Sequence, residues 1–169
     1  MRRFLVFFGF FVSFVAAVLL PAHAAKRVAL VIGNSAYEHA TPLKNPKNDA
    51  EAIARALTDV GFEVVKGLDL THIDFAQTVA SFRKKLRGAD VGLLFYAGHG
   101  LQVNGQNYLA PVDAELADET ALGFEAVPLH LVLKLMERET KTNLVFLDAC
   151  RDNPLARNLS RSMGTRSTA

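Results

Sequence analysis

The chain has 169 residues, of which half are apolar and a fifth are charged, and its formal net charge is +2. This length fits about one domain, and the composition excludes a disordered or collagen-like chain. So small a positive surplus gives no indication of the basic stripe that is typical of a nucleic-acid-binding domain. We therefore expect no nucleic-acid partner.

The first 24 residues have the order of regions that is typical of a secretory signal peptide. Two arginines precede the uncharged stretch Phe4–Leu20, and the tripeptide Ala-His-Ala at 22–24 follows it as a cleavage site. Removing residues 1–24 takes away two basic residues and no acid, so the rest of the chain has no net charge. We predict a periplasmic or secreted protein without a stable membrane span after cleavage. The alternative is an uncleaved anchor, because the apolar stretch reaches the lower limit for a span.

The remaining chain begins with an alternation of strands and helices. Val28–Ile32 is an unbroken apolar run, which is typical of a strand buried on both faces. Asn48 and Glu51 resemble a capping box at the start of a helix, and Gly61 lies where the C-terminal cap of that helix belongs. Residues 62–66 form a second, shorter strand.

The same alternation continues towards the C-terminus. Thr71 with Asp74 opens a second helix, and residues 91–97 form a third strand that is apolar throughout. Three further elements are a hairpin turning at Asn104-Gly105, a helix from Pro128 and a strand over residues 144–147. Strands that alternate with helices predict an α/β fold with a mainly parallel sheet flanked by helices.

Two polar clusters follow strands of this predicted sheet. His99 lies between two glycines after the third strand, and Cys150 follows the fourth. In parallel sheets, ligands bind outside the carboxyl ends of the strands. A cysteine thiolate is a strong nucleophile that needs a base, which His99 supplies if the two strands are neighbours. A lone cysteine is otherwise most often a small buried apolar residue.

Other groups beside this pair suit the same chemistry. The backbone amides of Gly100 and Cys150 could face a developing oxyanion. Asp148 lies on the same side of an extended chain as Cys150, since side chains two residues apart share a face, and its carboxylate would bind a cationic substrate group. No group of His and Cys has the spacing of a zinc site, and we predict no metal and no cofactor.

Five stretches, taken in order, carry a resemblance to a known family. They are residues 29–34 with Tyr37, then 43–49, 96–100, 108–114 and 147–151. His99 and Cys150 are also 51 residues apart, near the spacing of about 50 between the catalytic residues of caspases. The chain resembles the caspase-like cysteine peptidases (peptidase family C14), most closely the paracaspase and metacaspase branch.

The resemblance implies a three-layer caspase-like fold with a p20 catalytic domain over residues 25–154. It implies a cysteine endopeptidase with His99 and Cys150 as its catalytic dyad, and the predicted signal peptide adds that this endopeptidase is exported. It also implies an acidic pocket, formed by Asp49 and Asp148, for an Arg or Lys before the cut bond. Proteins or peptides with such residues are the expected partners. For Asp49, the residues alone favour the plainer interpretation of an acid at a helix N-terminus.

Residues 155–169 are predicted to be a flexible tail, in which Arg157, Arg161 and Arg166 are candidates for self-cleavage. Caspase-type folds normally continue past the cysteine with further strands and substrate-binding loops. The alternative function is therefore an incomplete or inactive caspase-like domain that binds a partner. The oligomeric state stays open, with a homodimer as one alternative.

Overall fold

The computed structural model describes residues 25–118 and 120–149, so the predicted signal peptide, Cys150 and the tail lie outside the described residues. The elements in chain order are β1 (Arg27–Gly33), α1 (Pro46–Asp59), β2 (Glu63–Leu68), α2 (His72–Leu86), β3 (Val91–Ala97), β4 (Gly100–Val103), β5 (Gln106–Leu109), α3 (Leu122–Glu125), β6 (Val127–Pro128), α4 (Leu129–Glu139) and β7 (Thr142–Asp148). None of these described helices has both the length and the apolar character that crossing a bilayer requires.

A four-stranded sheet in the order β2-β1-β3-β7 lies at the centre of the fold. All neighbouring strands in it are parallel. On one face, Ala29 and Val31 of β1 pack against Ala50 of α1. On the other face, Leu30 packs in a cluster with Phe82 of α2 and residues of α4. Helices thus cover both faces of a parallel sheet, which confirms the predicted α/β fold.

A second, antiparallel sheet lies beyond the carboxyl end of β3 and contains β4, β5 and β6. The β4–β5 turn is at Asn104 and Gly105, whose φ angles of 50° and 77° are both positive. Two positive φ angles are those of the tight turn that Asn-Gly favours, so the predicted hairpin is confirmed. β6 could not be predicted from the sequence, because two residues carry no periodicity.

The start of α1 differs from the prediction. The helix begins at Pro46, its N-cap is Asn45, and no side chain caps it. Asn48 and Glu51 lie inside the helix, so the predicted capping box is wrong. Proline fixes φ near the helical value, and the helix starts three residues earlier than the capping box predicts. Thr71, by contrast, caps α2 as predicted. Its hydroxyl oxygen accepts a 3.2 Å hydrogen bond from the backbone amide of Asp74.

Among the described residues, β7 forms an edge of the parallel sheet. It pairs with β3 on one side. Four consecutive apolar side chains of β7 are between 39% and 54% exposed, namely those of residues 144–147. Since neighbouring side chains of a strand point to opposite faces, β7 is apolar and accessible on both faces.

Candidate active site

The candidate site is built around loops that Asn34 joins at the carboxyl edge of the parallel sheet. The buried Asn34 side chain donates to the carbonyl of Ala110 at 3.0 Å and accepts from the amide of Leu70 at 3.0 Å. Its backbone amide donates to the carbonyl of Ala97 at 2.9 Å. One residue after β1 therefore connects the end of β3 to the segments that follow β2 and β5.

His99 is held by its backbone between two tyrosines. It is 6% exposed, and its amide donates a 2.7 Å hydrogen bond to the phenol oxygen of Tyr37. Its carbonyl accepts from the phenol of Tyr96 at 2.7 Å and from the amide of Ala110 at 3.0 Å. The backbone of His99 thus has a partner on each side, so its position is well determined.

The imidazole of His99 is oriented by the loop between β1 and α1. Its Nε2 lies 2.9 Å from the carbonyl oxygen of Thr41, and its ring centroid lies 4.4 Å from that of Tyr37. A carbonyl oxygen only accepts hydrogen bonds, so this contact requires the proton to be on Nε2. In the neutral ring, Nδ1 then carries the lone pair, and the imidazole is arranged as a general base that acts through Nδ1.

The two phenols remain neutral at ordinary pH. Burial raises the pKa of Tyr37 to about 12, against the opposing effect of its hydrogen bonds with Tyr96 and His99. Burial, reinforced by the neighbouring Tyr37, also raises the pKa of Tyr96 well above its usual value. Only a protonated Tyr96 can donate its hydrogen bond to the carbonyl of His99. The two tyrosines therefore fix the backbone of His99 in their neutral state.

Gly98 is required by the close approach of these phenols. A Cβ atom at this position would lie 2.6 Å from the phenol oxygen of Tyr37 and 2.8 Å from that of Tyr96. Real Cβ atoms are not found at such distances, so no other residue fits here without moving the tyrosines. The glycine before His99 therefore has a steric reason.

Asp69 organises the β1–α1 loop, although no motif in the sequence marks this residue. Its carboxylate accepts from the amides of Ser35 and Ala36 at 2.8 and 3.0 Å, and from the ammonium group of Lys47 at 3.0 Å. Burial raises the pKa of this carboxyl, but the hydrogen bonds outweigh burial and the pKa lies below its ordinary value. Because the same loop carries Tyr37 and Thr41, Asp69 supports His99 indirectly.

The register of the sheet brings the two predicted catalytic positions side by side. Ala97 at the end of β3 is paired with Asp148 at the end of β7. His99 and Cys150 each follow two residues after these paired positions. Cys150 itself lies outside the described residues, so its role as nucleophile stays a prediction.

Gly100 lies beside the residue that precedes Cys150. A Cβ atom on Gly100 would be 3.2 Å from the Cβ atom of Ala149. Both residues line a cavity of about 150 Å³ to which Leu109 and Leu147 also contribute. The segment around His99 and the segment leading to Cys150 are therefore in van der Waals range. The oxyanion-binding role of the Gly100 and Cys150 amides stays a prediction.

The two predicted acidic residues lie at the same edge and face of the sheet. Asp49 is in the first turn of α1 and is partly buried, whereas Asp148 ends β7 and is exposed. In the parallel sheet, Asp148 is paired with Ala97 and lies on the same sheet face. Leu93 is four residues before Ala97 on β3, so it also lies on this face, where it packs against α1. Neither carboxylate forms an ion pair with a described residue. Within residues 25–118 and 120–149, no group of three or more His, Cys, Asp or Glu could hold a metal ion.

A parallel sheet with helices on both faces is the arrangement of a caspase-like fold. The model of the caspase domain, peptidase C14, matches residues 26–168. The chain therefore belongs to the caspase domain family.

The relatives that the chain resembles are much longer proteins. It is 37% identical over 129 residues to mucosa-associated lymphoid tissue lymphoma translocation protein 1 of Homo sapiens and to its Mus musculus homologue. These matches cover 76% of this chain and 15% of each relative. The chain is also 28% identical over 134 residues to caspase-1 of Felis catus, of which the match covers 32%.

A solved structure supports the fold. The crystal structure of a Geobacter sulfurreducens protein superimposes with a TM-score of 0.59 at 21% sequence identity. The superposition covers 85% of this chain and 56% of that protein. At this level of identity the likeness concerns the fold alone.

Proposed function

We propose that the chain is an exported cysteine endopeptidase that cleaves after Arg, and more weakly after Lys. In this proposal His99 is the general base and Cys150 the nucleophile. Membership of the caspase domain family supports the reaction class. The observation that carries the proposal is the fixed His99, whose amide, carbonyl and Nε2 all have hydrogen-bond partners, while Nδ1 keeps its lone pair.

In the first half of the proposed reaction, a thioester is formed. Nδ1 of His99 takes the proton of the Cys150 thiol, and the sulfur attacks the carbonyl carbon of the substrate. The amides of Gly100 and Cys150 stabilise the negative charge on the substrate oxygen. The imidazolium then gives its proton to the leaving amine as the C–N bond breaks.

In the second half, a water molecule releases the product. Nδ1 of His99 removes a proton from the water as its oxygen attacks the thioester carbonyl carbon. The C–S bond breaks, the carboxylic acid leaves, and the proton returns to the sulfur of Cys150. Throughout the cycle, the carbonyl of Thr41 keeps Nε2 in place and stabilises the positive charge that forms on the ring.

The preference for basic residues is supported by the positions of Asp49 and Asp148. Both carboxylates lie at the carboxyl edge on the α1 face and have no ion-pair partner among the described residues. A guanidinium group bonds a carboxylate through two parallel hydrogen bonds, which favours Arg over Lys.

The proposal is tested with a peptide library that varies the residue before the cut bond. We expect cleavage after Arg by the wild-type protein and none by Cys150→Ala. Asp49→Asn and Asp148→Asn should each lower kcat/KM for Arg peptides by about tenfold or more. Asp59→Asn, at the exposed C-terminal end of the same helix as Asp49, is the matched control and should leave cleavage unchanged. A preference for Asp or for apolar residues would refute the pocket assignment.

A second candidate function is that of a caspase-like interaction module without peptidase activity. It is favoured by the apolar residues of β7, which are accessible on both faces. A thiol-reactive probe with an Arg-containing peptide distinguishes the two functions. Labelling of the wild type but not of Cys150→Ala supports the peptidase, and no labelling of the folded protein supports the module.

Export is tested separately by the mass of the protein recovered from cells. Cleavage after Ala24 gives a species that begins at Ala25 and lies outside the cytoplasm. A species that retains residues 1–24 in the membrane would contradict this part of the proposal and leave the peptidase mechanism untouched.

A further inference from the structure

A strongly basic groove lies between α2 and α4. Its cations are Arg83 and Arg87 at the C-terminal end of α2, and Lys134 and Arg138 on α4. With Leu131, Leu135 and the single acid Glu139, they line a cavity of about 390 Å³. We call this cavity and its lining the basic groove.

The single acid in the described lining of the basic groove offsets only part of its positive charge. All four cations are exposed, and none forms an ion pair with a described residue. By comparison, four other basic side chains of the described residues do form ion pairs, namely those of Lys47, Arg55, Lys85 and Lys141. In addition, the ammonium group of Lys26 donates to the carbonyl of Arg87 at 2.9 Å and adds a further positive charge beside the groove.

Helix dipoles explain only part of this arrangement. Cations are favourable near a helix C-terminus, which accounts for Arg83 and Arg138 in the last turns of their helices. Lys134 lies further upstream on α4. Like charges four positions apart on a helix also repel each other, and α4 has such a pair in Lys134 and Arg138. Two pairs of cations that converge on one cavity therefore indicate an anionic ligand.

The apolar side chains of the groove narrow the chemistry of that ligand. Leu131 and Leu135 are four positions apart on α4, and Leu131 is 54% exposed. The cations on α4 have the same spacing, which on a helix surface corresponds to about 5–6 Å. An acidic amphipathic helix presents apolar and carboxylate side chains at this spacing.

We infer that the basic groove binds an acidic amphipathic helix of a partner protein. Its apolar side chains lie against Leu131 and Leu135, and its carboxylates pair with Arg83, Lys134 and Arg138. The concave shape suits a helix better than a flat membrane surface. The described lining also contains no aromatic side chain on which nucleic-acid bases could stack.

The groove and the candidate active site lie at opposite edges of the sheet. α2 follows β2 and precedes β3, and α4 precedes β7, so the C-terminal turns of both helices lie near the amino ends of these parallel strands. His99 follows the carboxyl end of β3. A helix bound in the groove therefore leaves the region of His99 open.

The inference is tested by fluorescence anisotropy with a labelled helical peptide of about 18 residues, or five turns. The peptide carries Leu at positions four apart, flanked by Glu, and contains neither Arg nor Lys, so that the proposed peptidase cannot cleave it. A second peptide has Gln in place of every Glu. We expect the Glu peptide to bind at least about tenfold more tightly, and its affinity to fall with rising salt.

Variants of the protein locate the binding site. Arg83→Gln combined with Lys134→Gln should weaken binding of the Glu peptide by about tenfold or more. Lys84→Gln combined with Lys66→Gln removes the same charge from exposed positions that do not line the groove and should leave binding unchanged. Thermal unfolding of both double variants checks that the fold is intact, since all four side chains are exposed.

A hydrogen-exchange measurement adds a readout of position. With the Glu peptide bound, we expect protection in the last turns of α2 and α4 and none around His99. Equal weakening by both double variants would overturn the inference, as would failure of the Glu peptide to bind. Binding to vesicles with anionic lipid but not to the peptide would overturn it in favour of a membrane surface. None of these outcomes depends on Cys150, so the proposed peptidase function is tested independently.

Discussion

The phenol oxygen of Tyr37 accepts a 2.7 Å hydrogen bond from the amide of His99, and the tyrosine ring lies 4.4 Å from the imidazole. The two residues are 62 positions apart in sequence. Thr41, from the same loop as Tyr37, accepts the hydrogen bond of Nε2. The direction in which His99 presents Nδ1 is therefore determined by a loop that follows β1, rather than by the strand that carries the histidine.

The first prediction concerns Tyr37→Phe. This change leaves the buried amide of His99 without its acceptor, which should lower the free energy of unfolding by about 1–3 kcal/mol. Urea unfolding measures the loss. The control is Tyr108→Phe, because the phenol of Tyr108 bonds to Gln106 in an exposed position, and its effect should stay within about 0.5 kcal/mol. Equal losses in the two variants would contradict the assigned role of Tyr37.

The second prediction concerns Gly98→Ala. The new methyl group would meet the phenol oxygens of Tyr37 and Tyr96, and the expected loss of stability is about 1–3 kcal/mol from overpacking. The matched control is Gly123→Ala, since a Cβ atom there has nothing within 4 Å. That variant should be as stable as the wild type or slightly more stable. Thermal unfolding of both variants decides the point, and an unchanged Gly98→Ala protein would show that the tyrosines move freely.

The third prediction concerns stability in acid. The pKa of Asp69 is lower in the folded than in the unfolded chain. Its stabilising effect is therefore fully present above the unfolded value of about 3.9. It is lost as the pH falls through the folded value. Asp69→Asn keeps an oxygen acceptor but no charge, so it should be less stable than the wild type at neutral pH and equal to it in acid. Urea unfolding at a series of pH values measures this difference.

A control for Asp69→Asn is Asp59→Asn, which removes a carboxylate without an ion-pair partner in the described part of the chain. At neutral pH its stability should differ from that of the wild type by about 0.5 kcal/mol or less. A constant difference between Asp69→Asn and the wild type from neutral to acid pH would show that the charge of Asp69 does not stabilise the loop.

The fourth prediction concerns stability in alkali. The folded pKa of Tyr37, about 12, lies above the unfolded value of about 10, so the fold favours the neutral phenol. Its contribution to stability is complete below pH of about 10 and is lost as the pH rises towards about 12. The unfolding free energy of Tyr37→Phe should therefore fall less steeply over this range. Absorbance of ionised tyrosine, followed together with circular dichroism, shows whether ionisation and unfolding coincide.

Elements with a local signal could be predicted from the sequence. The apolar run of β1, the cap at Thr71 and the turn at Asn104-Gly105 each depend on residues that are close together in the chain. The start of α1 was predicted three residues too late, because Pro46 and the Asn48–Glu51 pair gave competing local signals. The backbone angle that proline imposes prevailed.

The environment of His99 could be predicted only in part. The position of the histidine after a buried strand followed from the apolar pattern. The roles of Asp69 and of the Thr41 carbonyl could not be predicted, because their partners are 22 to 58 residues away. A backbone carbonyl, moreover, has no signature in the sequence. The pairing of Ala97 with Asp148 supports the predicted dyad but does not test it, since Cys150 lies outside the described residues.

The accessible strand β7 has a consequence for the behaviour of the protein in concentrated solution. An apolar strand with a free edge is a template for strands of other molecules, and in the described part of the chain β7 is paired with β3 alone. The charges at its ends favour one orientation: if two copies paired antiparallel, Lys141 of one would lie near Asp148 of the other, whereas parallel pairing would align like charges. Self-association through this strand would extend the sheet from one molecule into the next and restrict access to Asp148.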